Sequence, residues 1–353
     1  MAIGFLKNIK ISCLACAVPD HKIENEDYVR YYGEKFVNRF ERTTGIRQRF
    51  LVNKKQTASD LCYVAAKKIL EKKKWTGKNV DALIFISQTP DYKTPSTAFV
   101  LQKRLGMKES AVVFDINMGC TAVIYGIFVL AGMMQNEGVH NGIILVGDAL
   151  PQREVTEDHT ESMMFSDAGS AILLERSEDK VPFLLESDGN GFQAIMNPHG
   201  ERFPLEPKNP DWRICKYYMN GDEVFNFATS KVPEAFRKYF DYFGVDPEMF
   251  DYYVFHQANR FILRHIANDM GIKDEKIPMS IERYANTNGA SIPVTIVDMM
   301  ERYLLEEKKR MILCGFGIGL SWGIMDFELS KECVLPMIYT NEYFEEGTSI
   351  QYL

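Results

Sequence analysis

With 353 residues, 46% hydrophobic and 25% charged, the chain can bury a sizeable core as one large or two ordinary domains. A formal net charge of −7 argues against a chain-wide nucleic-acid surface, and the longest apolar run, residues 123–134, is interrupted by Tyr125, Gly126 and Gly132 and too short to span a bilayer. The first residues lack the apolar core and cleavage site of a signal peptide, so a cytoplasmic protein with no nucleic-acid or membrane partner is expected.

Seven cysteines, an odd number in a chain this large, do not suggest a disulfide framework. Cys13 and Cys16 have CxxC spacing but no second ligand pair nearby, so no metal site is expected. Short continuous apolar runs at 82–87, 111–115, 142–147 and 168–174 fit strands buried on both faces. Helical patterns lie among them at 58–73, 97–105 and 120–135. The second half repeats the scheme, with helices at 223–243, 259–270 and 292–305 and strands at 252–255, 310–314 and 321–329. Strand alternating with helix implies a layered α/β fold. Residues 79–86 and 247–255 echo each other, which suggests duplication. The charged run 175–180 marks a boundary, giving halves at 1–176 and 177–329 and an extension at 330–353.

Four elements carry candidate chemistry. Gly119-Cys120 lies between a strand and an apolar helix, where a side chain projects from the sheet and a helix N-terminus lowers a thiol's pKa. Cys120 is there either a nucleophile or an ordinary core residue. His256 ends a buried strand, where ligand sites in α/β sheets sit, and is either catalytic or a structural helix cap. Asn286 stands in a loop of Asn and small residues that can be a carbonyl-binding site or a plain turn. Gly315, Gly317 and Gly319 follow a strand and precede another, so they suit close backbone approach to a ligand or a tight turn, and not a dinucleotide loop.

Taken in order, with Thr44-Gly45-Ile46-Arg47, Thr94-Pro95-Ser96, Phe165-Ser166-Asp167, Asn220-Gly221-Asp222 and Ser321-Trp322-Gly323, these elements resemble β-ketoacyl-acyl-carrier-protein synthase III, of the thiolase-like superfamily. The resemblance implies a five-layer αβαβα sandwich of two duplicated halves, usually a homodimer, that needs no cofactor. It implies Cys120, His256 and Asn286 as catalytic residues, with the N–H groups of Cys120 and Ile318 as an oxyanion hole. The implied reaction is decarboxylating condensation of an acyl thioester primer with malonyl-acyl carrier protein (malonyl-ACP). Substrate contacts are expected at Thr94, Asn220, Phe225, Phe316, Gly317 and Gly319. Arg260, Arg264 and Lys216 are candidates to meet an anionic carrier protein.

The sequence also departs from that pattern. No Trp precedes Thr44-Gly45-Ile46-Arg47 to stack on a CoA adenine, which favours an acyl-ACP primer or another donor. Thr94 replaces an aromatic that closes the primer pocket from a partner subunit, which leaves room for a primer longer than acetyl. Ile318 stands where Gly is usual. Tyr339, Tyr343 and Phe344 in the extension suggest docking on the body or on a partner. The competing functions are an acyltransferase that passes the acyl group from Cys120 to a hydroxyl or amine, and a non-catalytic subunit of a synthase pair.

Overall fold

The continuous apolar runs become strands whose alternate side chains enter different cores. The computed structural model describes residues 2–149, 159–197, 218–303 and 308–345. Its principal strands are β1 (Ala2–Pro19), β2 (Ala82–Ile86), β3 (Val112–Ile116), β4 (Asn141–Asp148), β5 (Ala168–Ser187), β6 (Tyr252–Phe255), β7 (Lys309–Gly317), β8 (Ser321–Leu329) and β9 (Ile338–Thr340). The principal helices are α1 (Glu34–Thr44), α2 (Ala58–Lys73), α3 (Thr97–Leu105), α4 (Ala122–Met133), α5 (Gly221–Phe243), α6 (Arg260–Met270) and α7 (Ser291–Tyr303).

Ile84 and Ile86 of β2 face a central core with Val123 and Ile127 of α4 and Ile292 and Ile296 of α7. Leu83 and Phe85 of the same strand face an outer core with Leu61 of α2 and Leu101 of α3. In the second half Val254 of β6 enters the central core, while Tyr253 and Phe255 meet Phe236 of α5 and Leu263 of α6. The layers are therefore helix, sheet, helix, sheet, helix, the five-layer αβαβα sandwich. Each buried Leu, Ile or Phe contributes roughly 1.5–3 kcal/mol against exposure, so three such cores outweigh any single polar contact.

The strand order is β6-β7-β8-β5-β4-β2-β3, with β1 beside β5 and β9 beside β1. The 20-residue β5 serves both halves. Ala168 to Glu175 pair with β4, and Phe183 to Ser187 pair with β8. β1 runs antiparallel to both parts, with register shifts at Lys7/Ile9 and Ile11/Cys13. The charged run 175–180 is therefore the exposed middle of one strand, where its pairing passes from the first half to the second.

The duplication extends to single hydrogen bonds. Asp81, before β2, accepts the N–H groups of His140 at 2.7 Å and Asn141 at 3.0 Å, where β4 begins. Asp251, before β6, accepts the N–H of Arg310 at 2.8 Å, where β7 begins. The extension docks on its own chain. β9 pairs with Ala17–Pro19 of β1, and Asp60 accepts the Phe344 N–H at 3.0 Å.

Candidate active site

Cys120 comes from the first half, and His256 and Asn286 come from the second. β3 ends at Ile116, and α4 begins at Ala122 with Thr121 as its N-cap residue. The helix thus starts two residues after Cys120, not at it. Thr121 pins the junction to the second half by a 2.8 Å hydrogen bond between its hydroxyl and that of Ser321. Gly317, at the end of β7, has φ 154°, and a Cβ there would stand 2.6 Å from the Cys120 sulfur. A Cβ on Gly315 would stand 3.0 Å from the Cys120 carbonyl oxygen. Gly315 and Gly317 are therefore required for close backbone approach to the cysteine itself, while a Cβ on Gly319 would meet Ser321.

Cys120, His256, Asn286, Phe316 and Gly317 line one cleft. Its remaining wall is mostly apolar, with Met164, Phe165, Ile195, Met219, Val224 and Ile262. Burial pushes the Cys120 thiol up to about 11. Hydrogen bonds from the main chain of Ile318 and of Cys120 pull the other way, and the Asp148 carboxylate adds to the rise. The lowering expected from a helix N-terminus is outweighed, because the sulfur is desolvated and lies ahead of the helix's first turn.

His256 follows β6 and is 2% exposed. Its N–H donates to the Cys314 carbonyl at 2.8 Å, and Nδ1 lies 2.7 Å from the Ser291 hydroxyl at the start of α7. Burial lowers its pKa to about 4, against a smaller opposite effect from the Asn288 main chain, so the imidazole is neutral near pH ~7. Asn286 Oδ1 accepts the Asn288 N–H at 2.9 Å. That bond occupies the carbonyl end of the amide and leaves Nδ2 as the donor end.

Asp148, at the end of β4, accepts from the Gln88 N–H at 2.7 Å, the Ser87 hydroxyl at 3.2 Å and the Gly289 N–H at 3.4 Å. Burial raises its pKa to about 6 despite those bonds. It ties the loop after β2 to the loop that carries Asn286. Sequence reasoning missed Asp148 and Ser291. The available signals were a carboxylate closing an apolar strand and a serine opening an apolar helix.

The remaining expected residues divide. Ile318 and Gly319 form the turn between β7 and β8. Asn220 caps α5, accepting the Glu223 N–H at 3.3 Å, and Phe225 stacks on Phe261 at 5.4 Å. Neither is among the cleft's lining residues, whereas their neighbours Met219, Gly221 and Val224 are. Thr94 is exposed and does not line this chain's own cleft. Arg260 donates to the carbonyls of Arg42 at 2.8 Å and Glu41 at 3.3 Å, so part of its guanidinium closes the end of α1. Arg264 is 57% exposed, 4.0 Å from Asp274. Lys216 lies outside the described residues.

A family profile described as 3-oxoacyl-[acyl-carrier-protein (ACP)] synthase III matches residues 114–189, and that family's C-terminal profile matches residues 241–329. A Clostridium perfringens protein named beta-ketoacyl-[acyl-carrier-protein] synthase III is 30% identical over 324 residues, covering 90% of this chain and 98% of its own. One of the same name from Rhodopirellula baltica is 29% identical, covering 91% and 98%. A crystal structure of a 3-oxoacyl-(acyl-carrier protein) synthase from Burkholderia xenovorans superposes with TM-score 0.89 at 31% identity, covering 96% and 99%. Xanthomonas campestris OleA shares the fold at TM-score 0.76 and 20% identity, covering 91% and 98%.

Proposed function

The chain belongs to the 3-oxoacyl-[acyl-carrier-protein] synthase III family and is a condensing acyltransferase, and we propose that Cys120, His256 and Asn286 carry its reaction. The Cys120 sulfur attacks the primer's thioester carbonyl, and the carrier leaves as its thiol with the proton that Cys120 gives up. The N–H groups of Cys120 and Ile318 hold the oxyanion. Malonyl-ACP then enters the same cleft. Its carbon–carboxylate bond breaks, CO₂ leaves, and the electron pair moves onto the thioester carbonyl as an enolate. Neutral His256 and the Asn286 Nδ2 donate hydrogen bonds to that oxygen. The enolate carbon attacks the acyl group on Cys120, a carbon–carbon bond forms, and the sulfur departs to leave a 3-oxoacyl-ACP.

The observation that carries this reading is the convergence of one thiol, one neutral imidazole and one oriented amide on a single apolar cleft. A wall of that kind strengthens each donor's effect on developing negative charge. The primer is proposed to be longer than acetyl and to arrive on ACP, supported by the missing Trp among residues 36–42 and by Thr94 in place of an aromatic. Carrier docking is proposed at Arg264 and Lys216.

A homodimer is proposed through β3, which among the described residues ends the sheet with one side unpaired and has Val112 46% exposed. An apolar edge of this kind is a template for strand pairing. The proposed setting is the cytoplasm, whose reducing conditions keep a catalytic thiol free. The testing experiment gives the protein malonyl-ACP with a chain-length series of acyl-CoA and acyl-ACP donors. A 3-oxoacyl-ACP with stoichiometric CO₂ is expected. Acylation of a hydroxyl or amine without CO₂ identifies the transferase reading instead.

A further inference from the structure

The turn that presents Asn286 adopts a conformation its own residues disfavour. Ala285 has φ 52° and ψ −158°, a region sparsely populated by residues with a Cβ and kept only where the surroundings over-determine it. On one side of Ala285 the surroundings are main-chain bonds. Asn286 donates its N–H to the Met164 carbonyl at 3.1 Å and accepts the Ser166 N–H at 3.0 Å. On the other side the hold is Tyr284, a fully buried ring stacked on Phe50 at 5.6 Å.

The Tyr284 hydroxyl meets that of Tyr339 at 3.0 Å, and the Tyr339 ring packs on Phe50, also at 5.6 Å. Phe50 returns to the turn, since its N–H donates to the Ser166 hydroxyl at 2.8 Å. The contacts form a closed ring from Tyr339 through Tyr284, Asn286, Ser166 and Phe50 back to Tyr339. Tyr339 reaches this place on β9, an element with no counterpart in either duplicated half. β9 is fixed by its pairing with β1 and by the Gln56 amide, which donates to the Thr340 carbonyl at 3.1 Å.

We infer that Tyr339 is a positioning residue for Asn286, so that the C-terminal extension supports the decarboxylation half of the reaction and not the acylation half. The inference rests on the role proposed for Asn286. Cys120 lies outside the ring, held by the Thr121–Ser321 hydrogen bond and by close approach to Gly317. Tyr339 is itself 50% exposed, so replacing it opens no core cavity.

The test measures two half-reactions of the full chain: CO₂ release from malonyl-ACP, and single-turnover acylation of Cys120 read by mass spectrometry. Tyr339→Ala is expected to lower kcat for CO₂ release roughly tenfold, well inside the ~100-fold that a 1 Å misplacement can cost, with acylation unchanged. Tyr339→Phe keeps the ring and loses only the hydroxyl, and its loss falls between wild type and Tyr339→Ala. Glycine accepts the turn's φ unaided. Adding Ala285→Gly to Tyr339→Ala therefore restores most of the CO₂ release. Equal loss in both half-reactions, or loss in neither, overturns the inference. An Asn286→Ala arm separates the two failures. If it slows CO₂ release selectively while Tyr339→Ala does not, only the inference falls; if it slows both half-reactions equally, the role of Asn286 falls.

Discussion

The two halves share one plan but do different chemistry. Each sends a central helix, α4 or α7, toward the cleft, and each uses an aspartate, Asp81 or Asp251, to fix the start of the neighbouring strand. Ahead of α4 stands a thiol, while ahead of α7 stands an amide with the histidine-linked Ser291. In the proposed reaction the first half holds the electrophile and the second handles the enolate. Two equivalent helix entrances thus carry different side chains, which gives them complementary parts in that proposal. The edges differ too, since β3 lies outside β2 while the second sheet ends at β6. The β3 edge is the more exposed of the two, and it is the one proposed above to meet another copy.

The division of labour can be broken most severely at Cys120. Cys120→Ala is expected to abolish acyl-enzyme formation, seen by intact-protein mass spectrometry, and to leave CO₂ release from malonyl-ACP running. Asn286→Ala is expected to do the reverse, slowing CO₂ release ~100–1000-fold, the usual cost of losing one such donor, with acylation near wild type. Gly317→Ala tests the seam between halves. Its Cβ would sit 2.6 Å from the sulfur, so acylation is expected to fall ~100-fold, measured by single-turnover loading.

The thiol's environment sets a pH test. With a pKa of about 11, Cys120 alkylation by iodoacetamide should keep rising about tenfold per pH unit through the ordinary cysteine value of ~8.5, without levelling off. A plateau below that value sinks the assignment of burial as the dominant cause. The smallest expected effect compares the paired aspartates. Asp81 is 11% exposed and Asp251 41%, so Asp81→Ala should cost more in denaturant unfolding, about 1–3 kcal/mol against a smaller loss for Asp251→Ala. Burial alone would raise Asp81. The Lys108 ammonium and the His140 and Asn141 N–H groups nevertheless hold its carboxyl below the usual range. Its folded pKa is therefore depressed, and its stabilisation is full above the unfolded value of ~3.9 and lost as pH falls through the folded one.

Much of this was legible in the chain because it is local. α2 and α3 match their periodic patterns at both ends, as do β6 and β8. Three of the cleft's polar residues, Cys120, His256 and Asn286, could be named because each stands at a strand end or ahead of a helix. What was not legible depends on distant partners. The bonds from the Arg260 guanidinium to the carbonyls of residues 41 and 42 appear only once α1 is placed beside it. That the run 175–180, read as a boundary, continues one strand from the first sheet into the second depends on pairing with β4, β8 and β1. The offset of Cys120 from its helix turns on Thr121 acting as N-cap, a distinction of two residues that hydrophobicity does not resolve.

The shared strand β5 has a consequence for how the protein is made. Ala2 of β1 pairs with Leu185, and Ala17 with Gly169. During synthesis, at ~5–20 residues per second, the first strand waits about ten seconds or more for a partner that is still on the ribosome. Throughout that interval Leu14-Ala15-Cys16-Ala17-Val18, all fully buried in the finished fold, is an apolar segment without its sheet. A chain released before residue 168 would lack the whole strand that joins β1 to both sheets.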